Sequence, residues 1–369
     1  MGALRRAALA GWSPLLQALP GLGLAIALAA LARGLAAGLA DGAAGLPKFP
    51  LSPVMCAVVL GMLWRNTVGV PAWASEGLRW AMHRLLRIGI ALVGLRLTLS
   101  GATRIAVTAL PVALCCLTLA LAAGITISRL LGVPRRLGLL LAIGTAVCGC
   151  TAVVAMSPVI RARHAETAFA VTCVVLFGCI AMLFYPWVAG QFFAASPVHA
   201  GIFLGTTIHD TSQVIGAALI YAQQAAAPAA LAAASVAKLL RNLSIAVLIP
   251  AAAWLTRREQ QAEGGTEQTA AGTRPPLVPF FVLAFIGFIL VRTVGDAFWH
   301  GPGWQRAVEG GYTASDLFLT CGMTAVGLSV SFTDMWRIGW RPLAAGLFVA
   351  TLVGVCSLSL TLALLHFFP

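Results

Sequence analysis

Charge is what this sequence lacks. Only 9% of its 369 residues are Asp, Glu, Lys or Arg, and 11 of those residues are acidic. A soluble globular domain carries about 25% charged residues, so this chain cannot cover a water-facing surface. Long polar stretches are scarce as well, and residues 257–276 form the one extended polar segment, read as a flexible loop outside the chemistry. No GxxxxGK(S/T) phosphate loop is present, which excludes ATP-driven transport by this chain alone. No basic tract is interleaved with aromatics, so nucleic acid is not an expected partner despite a formal charge of +13. The nine cysteines lie inside apolar stretches, none at zinc-ligand spacing from a histidine, which argues against a disulfide framework, a metal or a cofactor.

What is present is apolar sequence. Hydrophobic residues make up 60% of the chain and the mean hydropathy is +0.94. At about 20 apolar residues per span, the length allows roughly ten to twelve membrane helices. The expected fold is an all-α polytopic membrane protein. Spans are read at about 15–33, 51–65, 80–99, 105–129, 136–158, 166–187, 198–221, 231–256, 276–295, 313–333 and 342–368. The first competes with a signal peptide, but its apolar run is longer than a usual signal core. The third carries Arg84, Arg87 and Arg96, so it is expected to tilt or to line the protein interior. The bias of Arg5, Arg6, Arg129, Arg135, Arg136, Arg257 and Arg258 favours a cytoplasmic N-terminus, with lipid headgroups as neighbours.

The sequence also echoes itself. Residues 148–153 read CGCTAV and residues 321–326 read CGMTAV, carried by the fifth and tenth spans. A separation of five spans reverses the orientation, so the echo predicts two inverted five-helix repeats after an extra first helix. The corresponding domains are 1–50, 51–190 and 191–369. Thr145, Cys148, Gly149 and Thr151, and Cys321, Gly322 and Thr324, make small polar patches inside those spans. Both spans are therefore expected to break near the midplane, leaving N–H groups that hold a small anion. The competing reading is close packing of helices through small residues.

Ionisable residues inside apolar runs mark the rest of the expected site. Asp210 is the acidic residue set well within a span, next to His209 and close to Gln213. Burying such a group costs about 2.5–3.5 kcal/mol on insertion scales, so it belongs on an ion or substrate path. Lys238 and Arg241, three apart on one helix face, either snorkel to the interface, pair with Asp210 or face the anion. His209, Asp210, Gln213, Lys238 and Arg241 are the expected coupling or ion-binding group, with H+ or Na+ as the coupling ion. His209, Asp210 and Ser212 are too close in sequence to form a catalytic triad, so no enzyme is expected.

The segments LLRIGIALVGLRL (85–97), AIGTAVCGCTAVVAMSPVIRA (142–162), GTTIHDTSQVIGAA (205–218) and SVAKLLRN (235–242) resemble the YeiH-like membrane proteins, whose family name proposes sulfate export. The resemblance spans nearly the whole chain in order. It implies a bacterial inner-membrane protein related to the sodium/proton antiporter and bile-acid symporter superfamily, with two crossed, broken helices. It departs at Cys150, where a small residue such as Ala is expected, and in lacking adjacent intramembrane aspartates at the crossing. The expected function is secondary transport of a small inorganic or organic anion, sulfate or sulfite above others, by alternating access. The alternative is a cation/proton exchanger centred on Asp210. A homo-oligomer is compatible with either.

Overall fold

A computed structural model describes residues 14–40, 52–244, 247–248, 251, 280–331, 333 and 340–367, and every regular element among them is helical. Among the described residues, five helices are long and apolar enough to cross a bilayer in one piece. These are α1 (Pro14–Ala40), α5 (Leu99–Leu130), α8 (His164–Phe192), α12 (Phe280–Phe298) and α14 (Trp340–Phe367). Between them lie α2 (Pro53–Thr67), α3 (Ser75–Trp80), α4 (Leu86–Val93), α6 (Arg135–Ala146), α7 (Cys150–Met156), α9 (Pro197–Thr207), α10 (Thr211–Gln224), α11 (Ala229–Leu243) and α13 (Pro302–Ser329). A π turn, Ala81–Leu85, joins α3 to α4, and a 3-10 turn, Gly94–Arg96, ends that run. The polar segment 257–276 lies outside the described residues. All nine cysteines are unpaired.

The helix starts follow from local chemistry. Pro53, Pro197 and Pro302 occupy first-turn positions, where a missing N–H costs nothing. Ser52 accepts from Met55 N at 3.1 Å, and Thr98 accepts from Gly101 N at 3.3 Å.

Packing sorts the helices into two groups. In one, α1, α2, α12 and α13 gather around the α3–α4 run; in the other, α5–α11 and α14 pack together. The groups meet where α10 touches α2 and α13, where α11 touches α4 and where α5 touches α12. Their seam is apolar: Val54, Val58, Leu86, Leu319 and Met323 of the first group share one core with Met182, Ile215 and Leu219 of the second.

Two membrane passages are interrupted. Helix α6 stops at Ala146 and α7 begins at Cys150, with Gly149 at φ 66°, ψ −127°. That region is almost closed to any residue with a Cβ. Helix α9 stops at Thr207 and α10 begins at Thr211, with Ile208 and Asp210 extended. The two breaks touch, since a Cβ built on Gly149 would lie 3.0 Å from Asp210 Cα.

The break expected in the fifth span is therefore present, and the one expected in the tenth is not. Helix α13 runs without interruption through the CGMTAV segment. Its small residues serve close packing instead: a Cβ on Gly322 would meet Leu86 at 2.8 Å, and one on Gly327 would meet Val58 O at 2.3 Å. The second break falls at Ile208–Asp210, in the span expected at 198–221.

Gly149→Ala is expected to destabilise the protein by about 1–3 kcal/mol, the usual cost of a non-glycine residue in forbidden backbone. Thermal unfolding in detergent reads this as a lowered midpoint. Gly190→Ala, where an added Cβ meets nothing within 4 Å, should unfold at or above the wild-type temperature. Equal midpoints for the two variants would remove the strain argument.

Candidate functional site

A helix that stops inside the membrane leaves carbonyls with no N–H ahead of them. Six such carbonyls converge here, from Thr145, Ala146 and Val147 on the α6–α7 passage and Thr206, Ile208 and His209 on the α9–α10 passage, and two side chains of α11 bind them all. Lys238 Nζ donates to Val147 O at 2.8 Å, to Ile208 O at 3.0 Å and to His209 O. Arg241 donates from Nε to Ala146 O at 3.0 Å, from Nη1 to Thr206 O at 2.6 Å and from Nη2 to Thr145 O at 2.7 Å and Ala146 O at 2.6 Å. Both cations are buried, at 0% and 1% exposure. They do not snorkel, and neither forms an ion pair with Asp210.

The sign of this arrangement suits its place. A helix C-terminus carries about half a negative charge, so two of them meeting call for positive charge. Helix α11 reaches the spot because α9 is glycine-lined: Cβ atoms on Gly201 and Gly205 would sit 2.4 Å from Ala230 O and 2.6 Å from Ala234 O. The spacing of Lys238 and Arg241 then turns both toward the breaks.

Asp210 does a separate job. It is the N-cap of α10, where Oδ1 accepts from Ser212 N at 2.9 Å and Ser212 Oγ at 2.5 Å. It is partly exposed, as are Cys150, Thr211 and Ser212, whereas Thr151 is exposed. Asn242, one residue after Arg241, donates from Nδ2 to Thr211 Oγ1 at 3.2 Å, while its Oδ1 has no partner. His209 is 2% exposed; its ring lies beside the Thr145 backbone, and neither nitrogen makes a hydrogen bond of normal geometry. Ser212 Oγ is engaged with Asp210 and not with His209, so no nucleophile–base pair is assembled there. Gln213 points away from the break, donating to Val175 O at 3.0 Å and Cys179 Sγ at 3.3 Å on α8. Among the described residues, no three His, Cys, Asp or Glu side chains come together as a metal site.

The structure thus gathers Thr145, Cys148, Gly149, Thr151, His209, Asp210, Lys238 and Arg241 around one pair of breaks. It leaves Cys321, Gly322 and Thr324 on α13 in the other group, where the Thr324 hydroxyl is spent on Thr320 O at 3.0 Å. Sequence reasoning missed Asn242 and His83. His83 lies exposed on the π turn. A polar residue beside the Lys238–Arg241 pair, and a histidine within a basic run, were the available signals.

Arg241→Leu should uncap three carbonyls and cost about 3–5 kcal/mol, the usual penalty for breaking a buried charged network. The expected readout is failure to stay monodisperse in detergent, with Lys238→Met affected in the same direction. Wild-type thermal stability in both variants would move these cations from structural caps to free ligand-binding groups.

A family model described as "Conserved hypothetical protein 698" matches residues 16–346. The chain is 32% identical over 332 residues to a UPF0324 membrane protein of Ralstonia nicotianae, covering 83% of this chain and 87% of that protein. It is 33% identical over 314 residues to one from Wolinella succinogenes, covering 82% and 87%, and 29% identical over 316 residues to one from Bacillus cereus, covering 85% and 84%. The YeiH-like resemblance carried by the four motifs is to this same family. By its apolar helices and by these relatives, the chain is a membrane-embedded member of the conserved hypothetical protein 698 family, the UPF0324 membrane proteins.

Proposed function

We propose that this protein is a secondary active transporter of a small anion, sulfate or sulfite above others, working by alternating access in the bacterial inner membrane with its N-terminus in the cytoplasm. The observation that carries the reading is the contact between two interrupted helices at Gly149 and Asp210. Broken helices in a bilayer need compensation for every freed backbone group, and non-helical backbone persists at that depth where it is buried or lines a cavity. Here Lys238 and Arg241 compensate six carbonyls, and Thr151, Asp210, Thr211 and Ser212 at the same breaks are exposed or partly exposed. The protein performs no covalent chemistry on its substrate in this reading. The crossing passages in this reading are α6–α7 and α9–α10, in place of the fifth and tenth spans that the repeated CGxTAV segments suggested.

The apolar seam suits alternating access. Sliding one helix group along the other exchanges apolar contacts for apolar contacts. The hydrogen bond from Leu99 N to Thr293 Oγ1 at 2.8 Å, which crosses between the groups, sits at the chain connection into α5 and can act as a hinge.

Asp210 couples transport to H+ in this reading, flanked by His83, Cys148, Cys150, Cys179 and Lys238. A cation/proton exchanger is the second reading, favoured by the Asp210 carboxylate standing open beside Thr211 and Asn242. Purified protein in liposomes, given labelled sulfate or sulfite under imposed proton and sodium gradients, separates the two. Anion-dependent flux is expected, and proton or sodium flux without any anion would favour the exchanger. Asp210→Asn should retain anion binding while its flux loses dependence on pH, and Thr151→Val should weaken binding itself. An unchanged pH profile in Asp210→Asn would return Asp210 to a helix cap and nothing more.

A further inference from the structure

Helices α1 and α13 pack antiparallel, and their contact is closed along only part of its length. Ala25 and Leu28 of α1 share a core with Ala325 and Leu328 of α13. Further along, where residue numbers rise on α1 and fall on α13, an open cleft of about 330 Å³ lies between them. Ile26, Ala29 and Ala30 line one side and Leu317 and Thr320 the other, with Arg33 at one end. Ala29 and Ala30 are the step in α1 that leaves this space between the larger side chains of Ile26 and Arg33. The volume falls within the range of ~300–1,000 Å³ usual for small-molecule sites.

The charge in this cleft has no local answer. Arg33 is exposed, and among the described residues no carboxylate lies within ion-pair distance of it. Asp316, beside Leu317 in sequence, is already held by Arg96 at 2.8 Å. The Thr320 hydroxyl is spent on Asp316 O at 2.7 Å, so polar recognition in the cleft falls to Arg33. Arg33 lies inside the apolar stretch Ala18–Leu39, about 9 Å along the helix from its end, and Ile26 lies about 10 Å deeper. The cleft therefore carries its charge toward the bilayer surface and its apolar walls toward the midplane. An anionic phospholipid has the same order, phosphate outside and acyl chain inside. Acyl chains fill any groove on a membrane protein, so selection comes from the charge at the mouth. An unpaired arginine at this depth is costly until an anion receives it. A second copy docked two-fold on the same face would bring Arg33 toward its own counterpart, so charge complementarity favours the lipid.

We propose that the α1–α13 cleft binds one anionic phospholipid, with its phosphate on the Arg33 guanidinium and an acyl chain along Ala29 and Ala30 toward Ile26. The planar guanidinium donates two parallel hydrogen bonds to the phosphate oxygens. The bound lipid completes the contact between α1 and α13 and so steadies the first helix on its group. The inference stands apart from the transport reading and from the residues at the two breaks.

The test is native mass spectrometry of the purified, delipidated full-length protein, titrated with phosphatidylglycerol or with phosphatidylethanolamine. Wild-type protein should bind one phosphatidylglycerol about fivefold more tightly than phosphatidylethanolamine, one arginine's share of attraction to anionic lipid. Its melting temperature in detergent should rise with phosphatidylglycerol and not with phosphatidylethanolamine. Arg33→Gln should lose both the preference and the rise while melting as wild type without lipid, and Arg33→Lys should keep most of both. Ala30→Trp, which fills the cleft and keeps the charge, should lose the tight phosphatidylglycerol. Arg104→Gln, a charge loss on the exposed start of α5 in the other helix group, should bind as wild type. If Ala30→Trp does not fold, the two variants of the exposed Arg33 carry the test. Equal affinity of wild-type protein for the two lipids, or a wild-type preference in Arg33→Gln, would overturn the site. A dimer that forms without lipid and is broken by Ala30→Trp would assign this face to a second copy and overturn the lipid site as well.

Discussion

A backbone carbonyl without a hydrogen-bond partner in hydrocarbon costs several kcal/mol, and two helices broken at one place bring six of them together. Lys238 and Arg241 settle that deficit, and much else in the second helix group depends on their doing so. Water could satisfy the carbonyls only by entering the centre of the group, which would dissolve the packing of α6 and α9 on α11. A neutral donor such as Asn or Ser would satisfy one or two carbonyls but leave the half-charges of two helix ends facing each other. A guanidinium and an ammonium three residues apart supply both the donors and the charge. The desolvation of two cations is offset by seven hydrogen bonds rather than by a carboxylate, and this leaves Asp210 unpaired with either of them.

That separation of roles shapes the site. If Asp210 were bound to Lys238, as one sequence-level expectation had it, protonating the aspartate would loosen the cap on both breaks. Because the caps ignore Asp210, its carboxylate is held only by its own helix start and is open to other partners. A charged group fixed by a local cap can change partner or protonation state without unfolding the helices around it. Structural charge and working charge are therefore carried by different residues, one residue pair buried in α11 and the other group open at the start of α10.

Much of this was legible in the sequence, though unevenly. Apolar runs gave the helical class, because no other composition leaves so little charge for a surface. The Gly149 break was legible because only glycine adopts its backbone, and a Cys-Gly-Cys-Thr patch has little other use inside a span. The second break was hidden for the opposite reason: Ile208, His209 and Asp210 are extended, a conformation open to any residue, so no glycine announces it. Asp210 followed by Thr-Ser-Gln was the usable sign, a helix cap in the middle of an apolar run. The CGMTAV echo misled because glycine has two uses in membrane helices. At Gly149 it frees the backbone, and at Gly322 and Gly327 it lets Leu86 and Val58 approach. Composition cannot distinguish them; only the neighbour across the groove does.

The run through Arg79, His83 and Arg87 shows how a helix can sit at membrane depth and remain basic. Its buried face is built from small and aliphatic residues, with a Cβ on Gly89 meeting Leu319 at 3.0 Å and one on Gly94 meeting Phe285 O at 2.3 Å. That face is committed to α12 and α13, and the Ser315 hydroxyl fastens it by donating to Gly89 O at 2.9 Å. At its end, Arg96 is tied to Asp316 at 2.8 Å and lies 4.8 Å from the Tyr312 ring, which fixes the rotation of the helix. Tyr312 in turn donates to Leu95 O at 3.2 Å and accepts from Arg292 at 2.8 Å. With rotation and depth held from the far side, the basic stripe cannot turn inward to shed its cost. It stays on the exposed side of the run, so these arginines keep their charge outside the helix packing that holds the group together.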